Sequence, residues 1–222
     1  MKKPCQSCGG SGQINYFKGV SRFLLSSEEC PECSGLGYIF ADHENADDPS
    51  EEKIIIVDDH NNEVGSATRR EMRERNLPHR ASFILVFNSN DRLFVQQRTA
   101  WKDIYPGYYD VTCGGVVQEG ETYEISAARE LAEELGIKET KITPLFDFYY
   151  KETTNKVWGR AFVCTYDGDI TLQQEEVAGG AFLPIEEVVQ LTATKSFTPD
   201  GLLVLNRFLA GQQEQKRGTD RS

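Results

Sequence analysis

Apolar residues recur along this chain with two periods, and the changes between them set out its elements. Lys53-Ile54-Ile55-Ile56-Val57 is a short apolar run that reads as a strand. The turn-forming Asp58-Asp59-His60-Asn61-Asn62 leads into a short second strand at Val64, and Thr68 to Arg75 is a charged helical segment. Ala81 to Phe87 and Leu93 to Gln97 are strands joined by the turn Asn88-Ser89-Asn90-Asp91, and Tyr109 to Cys113 is a further extended run. The period then lengthens. Ile125, Ala128, Leu131, Ala132 and Leu135 stand three and four residues apart, which predicts a helix with one apolar stripe. Thr122 or Glu121 can start that helix, and Gly136 suits a left-handed stop. Strands follow near Leu145–Tyr150, Trp158–Tyr166 and Gly180–Leu183, then helices near Ile185–Leu191 and Pro199–Leu209. Strands and helices interspersed in this way predict an α/β (α+β) domain with a mixed sheet between helices.

Residues outside this pattern bound the domain. Residues 41–52 are acidic and rich in breakers, so they read as a linker, and His43 within them as solvated. The polar residues 211–222 read as a frayed tail, leaving 53–210 as the main domain and 1–40 as a unit of its own.

Composition changes the picture modestly. The net charge of −11 gives no bulk attraction for nucleic acid or an anionic membrane surface. No apolar run approaches the ~20 residues of a membrane span. Met1-Lys2-Lys3-Pro4-Cys5 lacks the apolar segment of a secretory signal, so a reducing cytoplasm is expected.

The helix after Thr122 carries the candidate chemistry. Glu130, Glu133 and Glu134 stand at i, i+3 and i+4, and their carboxylates share one helical face. Like charges so placed cost a few tenths of a kcal/mol per pair. A hard divalent cation with oxygen ligands, Mg²⁺ or Mn²⁺, removes that cost. A solvated Glu-rich helix would explain this face alone, but not Gly115, Glu121 and Arg129 at their spacings.

From Gly115 to Ile137 the chain resembles the Nudix box, G-x5-E-x7-R-E-U-x-E-E-x-G-U with U aliphatic, at every defined position. The resemblance to the Nudix hydrolase family implies an α/β/α sandwich and water attack on a diphosphate. It also implies catalytic roles for Glu121, Arg129, Glu130, Glu133 and Glu134. Glu130 and Glu134 are the first-choice Mg²⁺ ligands, completed by Glu133 and the Gly115 carbonyl. Arg129 pairs with Glu121 as a support. The general base is Glu130 if it is not metal-bound, or Glu175 or Glu176, where relatives often place an acid; Glu176 is a further candidate ligand.

The flanks narrow the resemblance. Ile54 to Asp59, Leu77-Pro78-His79-Arg80-Ala81, Gln97-Arg98 with Lys102, and Tyr105-Pro106-Gly107 are similar to the isopentenyl-diphosphate isomerase branch. The positions matching Arg98 and Lys102 hold a diphosphate there, which suits a planar donor fork and a mobile point charge. The isomerase's own chemistry does not carry over. Its cysteine matches Gly114, its following histidine Val116, another histidine falls near Met72, and its acids fall near Trp158 and Arg160; only His79 is kept. The hydrolase subgroup of that branch is therefore expected, and Ser196-Phe197-Thr198-Pro199-Asp200-Gly201 supports it. An isomerase and a silent binding module remain as alternatives, the latter opposed by the complete set of glutamates.

Residues 1–40 hold a doubled motif, CxxCxGxG at Cys5–Gly12 and again at Cys30–Gly37. Two CxxC turns offer Cys5, Cys8, Cys30 and Cys33 as a tetrahedral set for one structural Zn²⁺. Ile14, Tyr16, Phe23, Leu24 and Leu25 suit a hairpin between them, and the metal would supply much of this small zinc-ribbon-like unit's folding energy. The repeats look like the cysteine-rich domain of DnaJ-type chaperones. A redox dithiol and an iron–sulfur centre are the competing readings, the first lacking a thioredoxin-like context. Cys113 and Cys164 read as core thiols. The expected partner is a small-molecule diphosphate, with neither membrane nor nucleic acid. A substrate-recruiting RNA factor is the rival that net acidity opposes. A homodimer is compatible with the sequence and not required by it.

Overall fold

The computed structural model of the chain describes residues 2–4, 8, 11–17, 25–30, 35–36, 38–40 and 48–219. It divides into two compact units, 1–48 and 49–222. In the first, β1 (Lys2–Pro4) pairs antiparallel with β4 (Tyr38–Phe40), and β2 (Gln13–Phe17) with β3 (Leu25–Glu29), Ile14 opposite Glu28. The expected hairpin is thus formed by Gln13–Phe17 and Leu25–Glu29, while Phe23 and Leu24 lie outside the described residues. Cys8 is half-buried and Cys30 buried. Cys5 and Cys33 lie outside the described residues, as does His43.

The second unit contains β5 (Lys53–Val57), β6 (Glu63–Thr68), α1 (Arg69–Glu74), β7 (His79–Phe87), β8 (Arg92–Arg98) and β9 (Tyr109–Asp110). There follow α2 (Tyr123–Leu135), β10 (Thr143–Lys151), β11 (Lys156–Thr165), β12 (Val177–Pro184), α3 (Ile185–Thr192) and α4 (Pro199–Thr219). Among the described residues, its eight strands form one mixed sheet. One arm runs β10-β11-β7-β5-β6, with β11 and β7 parallel and the other pairs antiparallel. The other arm is β12-β8-β9, joined to the first where Phe87 faces Leu93 beside the Asn88–Asp91 turn.

Alternation along the strands places a core on each face. Ile84 and Val86 of β7 and Phe94 of β8 meet Ala127, Leu131 and Leu135 of α2. Leu85 of β7 with Leu93 and Val95 of β8 meet Val188 of α3 and Val204 and Leu205 of α4. Burial on both faces explains why β5 and β7 read as continuous apolar runs rather than alternating ones. A third cluster joins Ile54 and Ile56 to Met72 of α1 and Val116.

Two boundaries differ from those expected. Residues 49–52 belong to the second unit: Pro49–Glu51 is a short 3-10 helix, Arg69 donates its N–H to the Glu52 carbonyl at 2.8 Å, and Arg70 pairs with Glu51 at 2.8 Å. Helix α4 runs on through Gly211 to Thr219, ten residues beyond the expected Leu209. Polar residues suffice to continue a helix whose apolar first turns are already docked.

Candidate active site

Helix α2 begins at Thr122, whose hydroxyl accepts the Ile125 N–H, and ends at Gly136, whose φ of 69° is left-handed. Its inward face is not the expected stripe. Ile125 is 54% exposed and Ala128 is also exposed, whereas Tyr123, Ala127, Leu131 and Leu135 are buried. These four fall at i, i+4, i+8 and i+12, so the helix is rotated towards that ridge. The rotation brings Glu130 and Glu134 inward, at 8% and 2% exposure, and leaves the Glu133 side chain half exposed. The three acids that spacing puts on one face are therefore split into an inner pair and an outer one.

The pair faces a loop laid between the two arms of the sheet. Residues 113–118 run beside β7: the N–H groups of Ser82 and Ile84 donate to Gly115 and Cys113, and the Val117 N–H donates to Arg80. At Gly114 φ is 147°, and an added Cβ would lie 2.1 Å from the Ser82 carbonyl oxygen, so only glycine fits. Its N–H reaches Glu134 Oε2 at 3.2 Å. A Cβ on Gly115 would come within 2.4 Å of Glu130 Oε1, so that carboxylate lies directly against the loop backbone. The Gly115 carbonyl accepts the Ser82 N–H at 2.9 Å and keeps one lone pair.

Arg129 ties helix to loop. It grips Glu121 with Nε and Nη2 at 2.8 and 3.1 Å, reaches the Val116 carbonyl at 3.2 Å, and sends Nη1 to Glu130 and Glu133 at 2.8 and 3.0 Å. Glu121 in turn accepts the Gln118 N–H at 3.0 Å. A fork of fixed donors is what such a junction needs, and a lysine could not replace it.

Burial, and then the neighbouring Glu134, push the Glu130 carboxyl up to about 7. Gln96 of β8 faces the same pair. Its amide nitrogen donates to the Thr112 carbonyl at 3.0 Å and to Glu134 Oε2 at 3.4 Å. Both partners are acceptors, which fixes the amide orientation and leaves Gln96 Oε1 buried without a partner. Two buried carboxylates, a spare backbone carbonyl and an orphan amide oxygen are hard-oxygen groups that suit Mg²⁺ or Mn²⁺ with bound water. No three His, Cys, Asp or Glu side chains among the described residues stand together as a finished cage. Glu130 and Glu133 lean on Arg129 instead, and Glu134 on the Gly114 N–H and Gln96.

Cations approach from the loop after β8. Lys102 contacts Glu176 and lies in the field of Glu134 and Glu130, while burial lowers its ammonium. Arg98 turns its Nε and Nη2 onto the Ile104 carbonyl at 3.2 and 2.9 Å, which holds the 99–108 loop in shape. The same loop is stapled to residues 175–176. Thr99 bonds the Glu176 carbonyl through its N–H at 3.1 Å, and the Glu175 carbonyl receives the Thr99 hydroxyl at 3.2 Å and the Trp101 indole N–H at 2.8 Å.

The remaining candidates are packed or paired elsewhere, apart from Cys113, whose thiol donates to the Glu130 carbonyl at 3.6 Å. His79 is buried, its Nδ1 is 3.0 Å from the Leu77 carbonyl, and burial with nearby Arg73 depresses it to about 3. Cys113 and Cys164 are core thiols, and burial raises both. Arg160 pairs with Asp147 and Glu124. Spacing did not reveal Gln96; the one signal was a polar residue closing the apolar run Leu93-Phe94-Val95.

Residues 77–203 match the model of the NUDIX domain. An uncharacterized Nudix hydrolase of Yersinia pestis is 40% identical over 167 residues, 75% of this chain and 91% of that protein. One from Pseudomonas aeruginosa is 41% identical over 158 residues, 71% of this chain and 94% of that protein. A crystal structure of a Deinococcus radiodurans protein superposes with a TM-score of 0.60 at 27% identity, over 70% of this chain and 98% of that one.

Proposed function

Because this chain belongs to the Nudix hydrolase family, we propose that it cleaves the diphosphate bond of a small molecule with Mg²⁺ or Mn²⁺, in the hydrolase subgroup of the isopentenyl-diphosphate-isomerase-like branch. The observation that carries this reading is the buried pair Glu130 and Glu134 facing Gly114 and Gly115. The cation, when bound, neutralises phosphoryl oxygens and makes water more acidic. Glu130 and Glu134 would hold it, with Glu133 and the free lone pair of the Gly115 carbonyl as outer support. Arg129 keeps Glu130 in place from the side and Glu121 keeps Arg129. Lys102 and Arg98 serve the charge of the diphosphate: Lys102 exchanges Glu176 for a phosphate oxygen, and Glu176 is then free to take a proton from the attacking water. Glu130 and Glu175 are the other candidates for that base.

Against the isomerase stand the glycine at 114 and the valine at 116, where that branch carries its cysteine and histidine, and the Arg160 ion pairs where it carries an acid. In the first unit, we assign one structural zinc to Cys5, Cys8, Cys30 and Cys33. Cys8 Sγ accepts the Gly12 N–H at 3.3 Å, a bond that suits a thiolate. The Cys30 N–H donates to the Gly12 carbonyl at 2.9 Å, which joins the two repeats.

The test is release of phosphate from nucleoside, nicotinamide, sugar and isoprenoid diphosphates. Glu134→Gln is expected to lower Mg²⁺-dependent turnover more than about 100-fold, beyond the loss of an outer-shell partner. The variant should melt no lower than the parent, since it removes a buried charge. Retained turnover sinks the assignment.

A further inference from the structure

We infer that Tyr105 is a positioning residue for the diphosphate: anchored to Glu152 in a left-handed turn, it aims the Ile104 carbonyl at Arg98 and so holds the guanidinium ready for a phosphate oxygen. The inference rests on the assignment of Arg98 to the diphosphate above. Tyr105 has a φ of 51°, a conformation that strains any residue with a Cβ and that glycine adopts freely. What tyrosine adds there is a tie at its far end. Its hydroxyl donates to Glu152 Oε2 at 3.0 Å, and the Tyr150 hydroxyl donates to Oε1 of the same carboxylate. Glu152 directly follows β10, so the 99–108 loop is fastened to the end of a strand of the other arm.

The turn acts on Arg98 through one peptide. The Ile104 carbonyl and the Tyr105 nitrogen lie in the same plane, so φ at Tyr105 sets the angle between that carbonyl and the anchored side chain. The carbonyl accepts Arg98 Nε at 3.2 Å and Nη2 at 2.9 Å. Among the described residues, Nη1 has no hydrogen bond or ion pair. Asp103 holds the other side of the same residue: its Oδ1 accepts the Ile104 N–H at 3.0 Å, and its Oδ2 accepts Arg73 Nε at 3.1 Å. Arg98 needs such a hold, because it also lies in the field of the Asp110 and Asp200 carboxyls.

The strand sets the place of Arg98 beside the acids. Phe94, Gln96 and Arg98 alternate onto one face of β8, where Phe94 packs on α2 and Gln96 reaches Glu134 at 3.4 Å. The Lys102 ammonium accordingly lies in the field of Glu134, Arg98 and Glu130 together. Two bonds to one neutral carbonyl orient the guanidinium without neutralising it. Its charge and its remaining donors are kept for an anion.

The test is a double-mutant cycle on the whole protein with Mg²⁺ and methylenediphosphonate. Affinities are read by calorimetry for the parent, Tyr105→Phe, Arg98→Ala and the double variant. Tyr105→Phe removes the anchor and keeps the ring, and it should weaken binding about 3- to 10-fold. In the Arg98→Ala background the same change should cost nothing further, because the carbonyl no longer has a guanidinium to aim. An equal loss in both backgrounds means that the loop is merely loosened, and it overturns the inference. Unchanged affinity in Tyr105→Phe overturns it as well. Unchanged affinity in Arg98→Ala, or a parent that does not bind the probe, takes the diphosphate away from Arg98 and the positioning with it. Turnover of the parent on the diphosphate panel is read separately. Turnover without a Tyr105 effect removes the positioning and leaves the hydrolase standing; the expected cycle without turnover upholds the positioning and removes the hydrolase.

Discussion

Gln96 shows how much a single side chain can disclose. A buried amide oxygen without a donor costs about 1–3 kcal/mol, and the two acceptors around its nitrogen forbid a flip that would relieve it. A bound cation's water would supply the missing donor. Gln96→Leu is accordingly expected to weaken Mn²⁺ binding about 10- to 100-fold, the usual effect of losing an outer-shell partner, as read by a Mn²⁺ electron-resonance titration. Unaltered Mn²⁺ affinity would remove Gln96 from the site. Glu130 and Glu134 could be paired from spacing because carboxylates on one helix keep a fixed interval. Gln96 could not, since its relevance depends on which face of β8 meets α2, a fact of long-range pairing.

At the level of elements, the same limit appears in α2. Its ends were legible, because Thr122 and Gly136 act locally. Its rotation was not, because Ile125 and Ala127 are both apolar and only the sheet decides between them. The meeting of β9 with α4 was equally hidden. Asp110 and Asp200 come together there, with Thr112 donating to Asp110, and Asn155 and the Gly201 N–H donating to Asp200. Burial, and then Asp110, raise the Asp200 carboxyl from 3.8 to about 7. The folded chain thus keeps a proton that the unfolded chain releases near pH 4, so this stabilisation is full below about pH 4 and is lost as pH rises towards 7. His79, depressed to about 3, acts in the opposite sense between pH 3 and 6.5, but equally in parent and variant. Urea denaturation across pH 4–8 should therefore show Asp200→Asn gaining on the parent as pH rises. A difference independent of pH contradicts the assignment.

Across the molecule, two units of unlike character share one chain. The larger was readable as a mixed sheet between helices because both faces of β5 and β7 are apolar. The smaller is only 48 residues long, too short to bury a large core by itself. Protein purified in reducing buffer should contain about one zinc per chain by elemental analysis, and Cys8→Ser should lose it together with protease resistance of residues 1–48. Zinc-free protein with an intact first unit would contradict the four-thiolate reading. Among the described residues, no helix is long and apolar enough to cross a membrane.

The staple between residues 99–101 and residues 175–176 has a practical consequence for anyone recombining this protein with its relatives. Its bonds end on the carbonyls of Glu175 and Glu176, so they depend on the course of the backbone there rather than on those side chains. The two segments behave as one cassette. A graft of the 99–108 loop alone would import its side chains onto a foreign backbone course, whereas moving it with 173–177 would carry its anchor along.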